Sequence, residues 1–204
     1  MPAVLIARDV ADGAIDTVVV DSFAGVRQAT SHLLRLGHRR IAYIGGPHSL
    51  SVARERLRGY RQALCDFNVR LDRSLIVAGD FRVDGGRAAV RRLLARRLTF
   101  TAVVAANDLT AIGAMEALRA AGRRIPDDMA VVGFDDIPFA AFVDPPLTTV
   151  AQPTYRLGAL AMERLLALMN GEAITVRRIV LQPQLVVRRS CGAHLRSVRM
   201  EEMR

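Results

Sequence analysis

The sequence has no tryptophan and no lysine, only two cysteines, and 5% aromatic residues. With so few rings, its core must be built from Val, Leu, Ile and Ala, the material of buried parallel strands sandwiched by helices. Two cysteines make no disulfide framework. Cys65 lies in a helical pattern beside Leu64 and Phe67, so a buried free thiol is expected there. Long apolar runs are missing too. Met1 to Arg8 offers about six apolar residues before charge sets in, too few for a signal peptide or a membrane span. A soluble cytoplasmic protein is expected.

Catalytic signatures are equally scarce. There is no Gly-x-x-x-x-Gly-Lys-Ser/Thr loop to cradle phosphates and no Gly-x-Ser-x-Gly elbow. Gly45-Gly46 follows a strand pattern but lacks the third glycine of a dinucleotide fingerprint. The histidines (His32, His38, His48 and His194) have no metal-ligand spacing. The acidic pairs Asp127-Asp128 and Asp135-Asp136 are adjacent in sequence, so on a strand end their side chains diverge rather than form an acid/base dyad. Neither an enzyme nor a metal or cofactor site is expected.

What is present is an ordinary globular mixture, 51% hydrophobic and 24% charged, with a net charge of +9. That charge invites a nucleic-acid reading. The cations are all arginine, however, and are spread along helices, as in Arg91-Arg92 and Arg96-Arg97, which reads as solvated helix faces. Only the tail, 188–204, is basic without a core pattern.

Apolar β-branched runs alternate with helical patterns. Strands are predicted at 4–6, 17–20, 41–44, 75–78, 101–105, 129–134, 148–151, 176–181 and 185–187. The first helix is predicted over 23–36, with Asp21 or Ser22 as its cap, Val26, Leu33 and Leu34 on one face, and Gly37 as the stop. A second, 52–67, carries the stripe Ala53, Leu57, Tyr60, Leu64 and Phe67. A third begins at Asp84 as cap and runs to Arg96. A fourth spans 108–121, closed by Gly122. A fifth spans 154–169, with Leu157, Ala161, Leu165 and Leu168 inside. This alternation predicts βαβ units around a parallel sheet.

In such sheets ligands sit outside the carboxyl ends of the strands. Polar groups gather there: Asp80 and Phe81, then Asn107 and Asp108, then Asp135 and Asp136. Helix capping is the competing account, and it is favoured for Asp108. Asp135 has no helix to cap. A carboxylate and an amide on neighbouring strand ends suit a polyol, whose hydroxyls donate to the carboxylate. Phe81 either covers an apolar ligand face or packs in the core. Of Arg54, Arg56 and Arg58, which alternate along the second helix, one can face the cleft; spacing alone does not choose.

Seven stretches then occur in order: Leu36–Gly46 (LGHRRIAYIGG), Ala53–Tyr60 (ARERLRGY), Gly79–Phe81 (GDF), Ala105–Asp108 (AAND), Val131–Asp136 (VVGFDD), Pro145–Pro153 (PPLTTVAQP) and Leu185–Ser190 (LVVRRS). Together they resemble the lactose-repressor/galactose-repressor (LacI/GalR) family of bacterial transcription regulators. The resemblance spans about residues 2 to 190. It implies an α/β type I periplasmic-binding-protein-like fold: two doubly wound subdomains around a cleft. By that likeness 22–151 and 173–190 form a nearly complete C-terminal subdomain, 1–21 and 152–172 a partial N-terminal one, and 191–204 a basic tail. No helix-turn-helix pattern precedes Val4, so the resemblance leaves this chain without its own DNA-reading headpiece, and no specific operator binding is expected.

The resemblance also assigns effector-binding roles. Arg56 stands where the family's ligand-gripping arginine stands, Asn107 and Asp135 at polar cleft positions, Phe81 at the aromatic wall, and Gln152 on a crossover segment. Ala7 departs from an aspartate common in the family, and Thr154 replaces a ring that some members carry. The implied effector is a sugar or similar small polar metabolite, acting by population shift. A homodimer is expected as well. The apolar segment 137–143 lies in a loop, and an exposed apolar patch marks an interface. Ile137, Phe139 and Phe142 from that loop, with Ile112 and Met115 from the fourth helix, are the expected contacts. The alternatives are a sugar-binding protein of a transport system, which needs an export signal, and a regulator fragment without function of its own.

Overall fold

A computed structural model describes residues 2–8, 15–172 and 177–195. The chain builds two sheets. The larger contains β3 (Ile41–Ile44), β4 (Ile76–Val77), β5 (Ala102–Ala105), β6 (Ala130–Asp135), β7 (Thr148–Ala151) and β9 (Gln184–Val186), in the order β4-β3-β5-β6-β7-β9. Its neighbours run parallel except β7 and β9, which are antiparallel. The smaller holds β1 (Val4–Ile6), β2 (Asp16–Val20) and β8 (Arg178–Leu181), in the order β1-β2-β8, all parallel.

Four helices cover the large sheet. α1 (Ser22–Arg35) and α2 (Ser51–Asp66) lie on one face; α3 (Val83–Ala95) and α4 (Asp108–Ala120) lie on the other. Strand periodicity explains the division. Ile41 and Tyr43 pack with Leu33, Leu57 and Tyr60, whereas Ala42 and Ile44 pack with Val90, Leu93 and Ala111. β3 is therefore buried on both faces, as a run of apolar residues without polar alternation demands. The doubly wound α/β expectation is met.

α1 starts and stops as its sequence dictates. Asp21 Oδ1 accepts from Ala24 N at 2.8 Å, and Gly37 takes φ 85° just past the last turn. α2 can lie close against α1 because Gly59 has no side chain: a Cβ there would sit 2.3 Å from the Phe23 carbonyl oxygen. α5 (Thr154–Met169) covers the small sheet, with Leu157 and Ala161 against Val18, Val20 and Leu181. Arg164 Nε also reaches Asp16 Oδ2 at 2.9 Å.

Several expectations are corrected. Asp84 does not cap α3; the helix starts one residue earlier, and Asp84 sits in its first turn paired with Arg87 at 2.5 Å. A carboxylate there answers the positive end of the helix without capping it. Cys65 is exposed, because it falls beside the buried stripe of α2 rather than on it. Leu165 and Leu168 are only half-buried, since the buried contact of α5 with the small sheet centres on Leu157 and Ala161, with Leu160 packed partly beside them. Arg178–Leu181, expected in the larger unit, hydrogen-bonds to β2 in the small sheet, and the chain returns to the large sheet only at β9. Residue 176 and the tail from 196 onward lie outside the described residues.

Candidate ligand-binding site

The carboxyl ends of β5 and β6 and the first turns of α2 and α4 meet around Arg56. Its side chain is almost wholly buried, an expensive place for a cation, and its surroundings answer that cost. Nη1 donates to the Ala106 carbonyl, Nη2 lies 3.4 Å from Asp135 Oδ1, and Nε lies 3.5 Å from Ser22 Oγ. The guanidinium stacks over the Phe134 ring at 3.8 Å and faces the Phe81 ring at 5.7 Å. Burial pulls its proton affinity below the ordinary arginine value, and Asp135 opposes that shift.

Asp135 ends β6 and keeps about a quarter of its side chain open, 26%. Gln152 Nε2 donates to its Oδ1 at 2.7 Å, the same oxygen that Arg56 approaches. Among the described residues Oδ2 accepts no hydrogen bond. Burial raises the carboxyl's pKa, while Arg56 and Gln152 pull it back. The backbone here is strained: Asp135 has φ 119° and Asp136 φ 57°, both left-handed and neither glycine. Such outliers persist only where the surroundings over-determine them, and they concentrate at functional sites.

Phe81 is a third left-handed residue, at φ 65°. The tip of its ring lies against Gly46, where an added Cβ would come within 2.2 Å of Cζ. Asn107 fixes its backbone: Nδ2 donates to the Phe81 carbonyl at 3.0 Å, while Oδ1 accepts from Thr110 N at 3.0 Å and caps α4. Both ends of the amide are thus in use, one as helix cap and one holding the aromatic wall. The five residues expected to bind effector, Arg56, Phe81, Asn107, Asp135 and Gln152, all meet here.

Asp108 is the residue that sequence reasoning misjudged. Asn107 takes the capping position, and Asp108 is fully buried one residue later. Its Oδ1 accepts from the Thr149 hydroxyl and its Oδ2 from Ile137 N, the latter at 2.9 Å. It ties the start of α4 to β7 and to the strained turn that carries Asp135. Burial pushes its pKa up to about 7 against the pull of those two bonds. Phe134, the ring beneath Arg56, also went unmarked, because an aromatic in a buried strand reads as core. Gly46 carried the one usable signal, a second glycine after a strand.

A crevice of about 250 Å³ opens beside this cluster, between the small sheet and the first turns of α1 and α2. Ser22, which approaches Arg56, lines it, together with Arg8, Val20, Ser51 and Arg178. Among the described residues no group of three or more His, Cys, Asp or Glu could hold a metal ion. No helix of the described residues is long and apolar enough to cross a membrane.

Away from the cleft, the loop after β6 makes a short 3-10 turn over Pro138–Ala141. Phe139 and Phe142 are 72% and 84% exposed, and Leu109 in the first turn of α4 is 41% exposed. Ile112 is half-buried, and Ile137 packs partly on the core. Met115 is 2% exposed and belongs to the chain's own core, so it cannot serve an interface. The helical stripe that points outward there is Leu109 and Ile112; Met115 faces the sheet.

Two α/β units joined by crossovers, with a crevice between the small sheet and the first turns of α1 and α2, define a periplasmic-binding-protein-like ligand-binding protein. The chain belongs to that family, in the branch that forms the effector-binding region of LacI-family regulators: residues 30–191 match the periplasmic binding protein-like domain. It is 44% identical to the HTH-type transcriptional regulator CelR of Thermobifida fusca over 176 residues, 86% of this chain and 52% of that one. It is 40% identical to the ribose operon repressor of Escherichia coli (strain K12) over 179 residues, 88% of this chain and 54% of that one. Among solved structures, the CelR–cellobiose complex superposes with a TM-score of 0.89 at 42% identity, covering 93% of this chain and 59% of that one. A regulatory protein of the LacI family from Chloroflexus aggregans gives 0.86 at 36%, covering 93% and 68%. The chain spans about half the length of the curated relatives it matches.

Proposed function

We propose that this chain is the sugar-sensing part of a LacI-family transcription regulator and that it works by binding, not by catalysis. The observation that carries the reading is the half-used carboxylate of Asp135. Gln152 and Arg56 converge on Oδ1, which fixes the group's orientation and leaves Oδ2 to accept from a ligand hydroxyl. A guanidinium has more N–H donors than the partners Arg56 has here, so its remaining ones can reach a ligand oxygen. Phe81 offers a ring face to the apolar side of a pyranose. This combination of a fixed acceptor, a fixed donor and a ring is what recognition of a polyol needs.

The relative CelR was solved with cellobiose, so a β-linked disaccharide heads the list of sugars to try here. In this reading β1, β2, β8 and α5 form one subdomain, and the large sheet with α1 to α4 forms the other. Ligand in the cleft draws the two together and shifts the population toward the closed form. A second copy pairs through Phe139, Phe142, Leu109, Ile112 and the outer side of Ile137. In the whole regulator DNA is contacted through a helix-turn-helix of the kind the relatives' names record, not through the residues of this chain, and the site of action is the cytoplasm.

Calorimetric titration with cellobiose, ribose and a panel of hexoses and pentoses tests the proposal. One sugar should bind, and Arg56→Ala should abolish its binding. If no sugar binds the wild-type chain while it remains folded, or if Arg56→Ala binds as tightly as wild type, the proposal fails.

A further inference from the structure

At the end of the large sheet opposite the cleft, the turns that lead into β3, β5 and β6 surround a second cavity of about 670 Å³. That volume falls in the range of small-molecule sites, roughly 300–1,000 Å³. Phe100 and Met129 contribute to its apolar floor. Its rim carries Arg39, Arg40, Arg97 and Arg123, with Asp128 as the one carboxylate. None of the cleft residues lines it.

The plain account is that these arginines answer the negative ends of α1, α3 and α4, which all finish on this side. It explains Arg39, while Arg40 is committed to partners that are not helix ends. Arg39 Nη1 donates to the Leu34 carbonyl at 2.6 Å, near the end of α1. Arg40 Nε donates to the Thr99 carbonyl at 2.6 Å, and its Nη2 meets Asp72 at 3.2 Å. It does not explain Arg97. α1 and α4 stop on left-handed glycines, Gly37 at φ 85° and Gly122 at φ 72°, whereas α3 stops on Arg97 at φ 54°. A side chain is strained in that conformation, and glycine is the residue that fits it. Yet the Arg97 side chain, exposed at the rim, makes no hydrogen bond or ion pair among the described residues.

Arg123 stands directly after Gly122, and its backbone N donates to the Leu118 carbonyl at 2.9 Å; among the described residues its side chain makes no hydrogen bond and acts on Asp128 only through space. Asp128 is already held by Arg124, through Nε at 3.1 Å and Nη2 at 2.9 Å. With Arg40 paired to Asp72 and Asp128 to Arg124, three helix ends of about half a negative charge each do not cancel Arg39, Arg97 and Arg123. The cavity keeps a positive rim over an apolar floor, with two uncommitted planar forks of the shape that grips a phosphate.

We propose that this cavity is a second ligand site, for a small organic phosphate or diphosphate, with Arg97 and Arg123 holding the oxyanion. Calorimetric titration of the chain with inorganic pyrophosphate at low ionic strength tests it, using Arg97→Gly, Arg123→Gln and the control Arg91→Gln on the solvent side of α3. Wild type should bind in the submillimolar range, and each of the first two variants should bind about tenfold more weakly. Arg97→Gly should also melt at a higher temperature than wild type, because glycine accepts the left-handed turn. Arg91→Gln should bind as wild type does. The proposal is overturned if wild type binds no pyrophosphate, if Arg97→Gly keeps full affinity or melts lower, or if Arg91→Gln weakens binding as much as Arg97→Gly. It is also overturned if duplex DNA of arbitrary sequence displaces pyrophosphate, which would make the rim a nucleic-acid surface. Every readout is independent of sugar binding in the cleft.

Discussion

Gln152 Nε2 and Arg56 Nη2 converge on a single atom, Oδ1 of Asp135, at 2.7 Å and 3.4 Å. Gln152 follows β7, Arg56 lies in α2, and Asp135 ends β6, so one carboxylate oxygen fastens three segments remote in sequence. The arrangement serves two ends. It supplies an anion to a buried cation, and it leaves the second oxygen of the carboxylate without a hydrogen bond among the described residues.

The first end is measurable as stability. Asp135→Asn keeps the shape and removes the charge, which leaves Arg56 buried and unpaired. The cost should be on the order of 2 kcal/mol, below that of a wholly buried pair because Asp135 is partly open to water. Urea unfolding reads it as a lowered midpoint at unchanged slope. Arg56→Lys should not restore sugar binding lost in Arg56→Ala, because an ammonium cannot bridge Ala106 and Asp135 while stacking on Phe134. An unmoved urea midpoint in Asp135→Asn would mean that the carboxylate does not support the arginine.

Gly46→Ala separates binding from folding. The new Cβ would lie 2.2 Å from the Phe81 ring, which must swing aside. Phe81 is half-exposed and its ring is the free end of a side chain, so the fold can absorb the change. The melting temperature should move by no more than about 3 °C, or about 1 kcal/mol for a chain of this size. Sugar affinity should fall about tenfold, as expected when an aromatic wall leaves its place. A large loss of stability with unchanged affinity would show that Gly46 serves packing instead.

Much of this is legible in the sequence, and the unevenness has physical causes. Asp21, Gly37 and the strand at 41–44 are local signals, and each appears where expected. Arg56 was singled out by family likeness, because three alternating arginines on a helix differ only in what they face. Asn107 and Asp108 are both good caps by residue type, and the tertiary fold decides that the first caps while the second is buried. The pairing of Arg178–Leu181 with β2 is a contact between segments far apart in sequence, which no local pattern encodes. The strained turn at Asp135 and Asp136 gave no sign in the sequence, since neither residue is the glycine such angles favour.

Asp108 predicts a pH dependence. Its folded pKa is about 7, raised from an ordinary 3.8, so the folded state binds the extra proton between those values. Stability from this group is therefore fully present below about pH 4 and is lost as pH rises through about 7. Other carboxylates act oppositely, Asp128 among them with its pKa held down to about 2 by Arg124. The comparison must therefore be between wild type and Asp108→Asn, which has no proton to lose. Wild type should gain stability relative to the variant as pH falls from 8 to 5. A constant difference across that interval would mean that Asp108 titrates normally and is not held in a dry site.

The loop after β6 offers a contrast between two residues once expected to share a role. Phe142 is 84% exposed and Met115 is 2% exposed. If two copies pair through the loop, Phe139→Ser with Phe142→Ser should turn a dimer into a monomer at micromolar concentration in equilibrium sedimentation. The stability of the fold itself should stay within about 0.5 kcal/mol, because neither ring is packed in the core. Met115→Ala should do the reverse, costing about 2–5 kcal/mol through the cavity it leaves beside Leu118 and Val131 while preserving the dimer. The pairing scheme depends on the sign of that contrast: a wild-type chain that sediments only as monomer, or a serine double variant that still dimerises, moves the interface elsewhere.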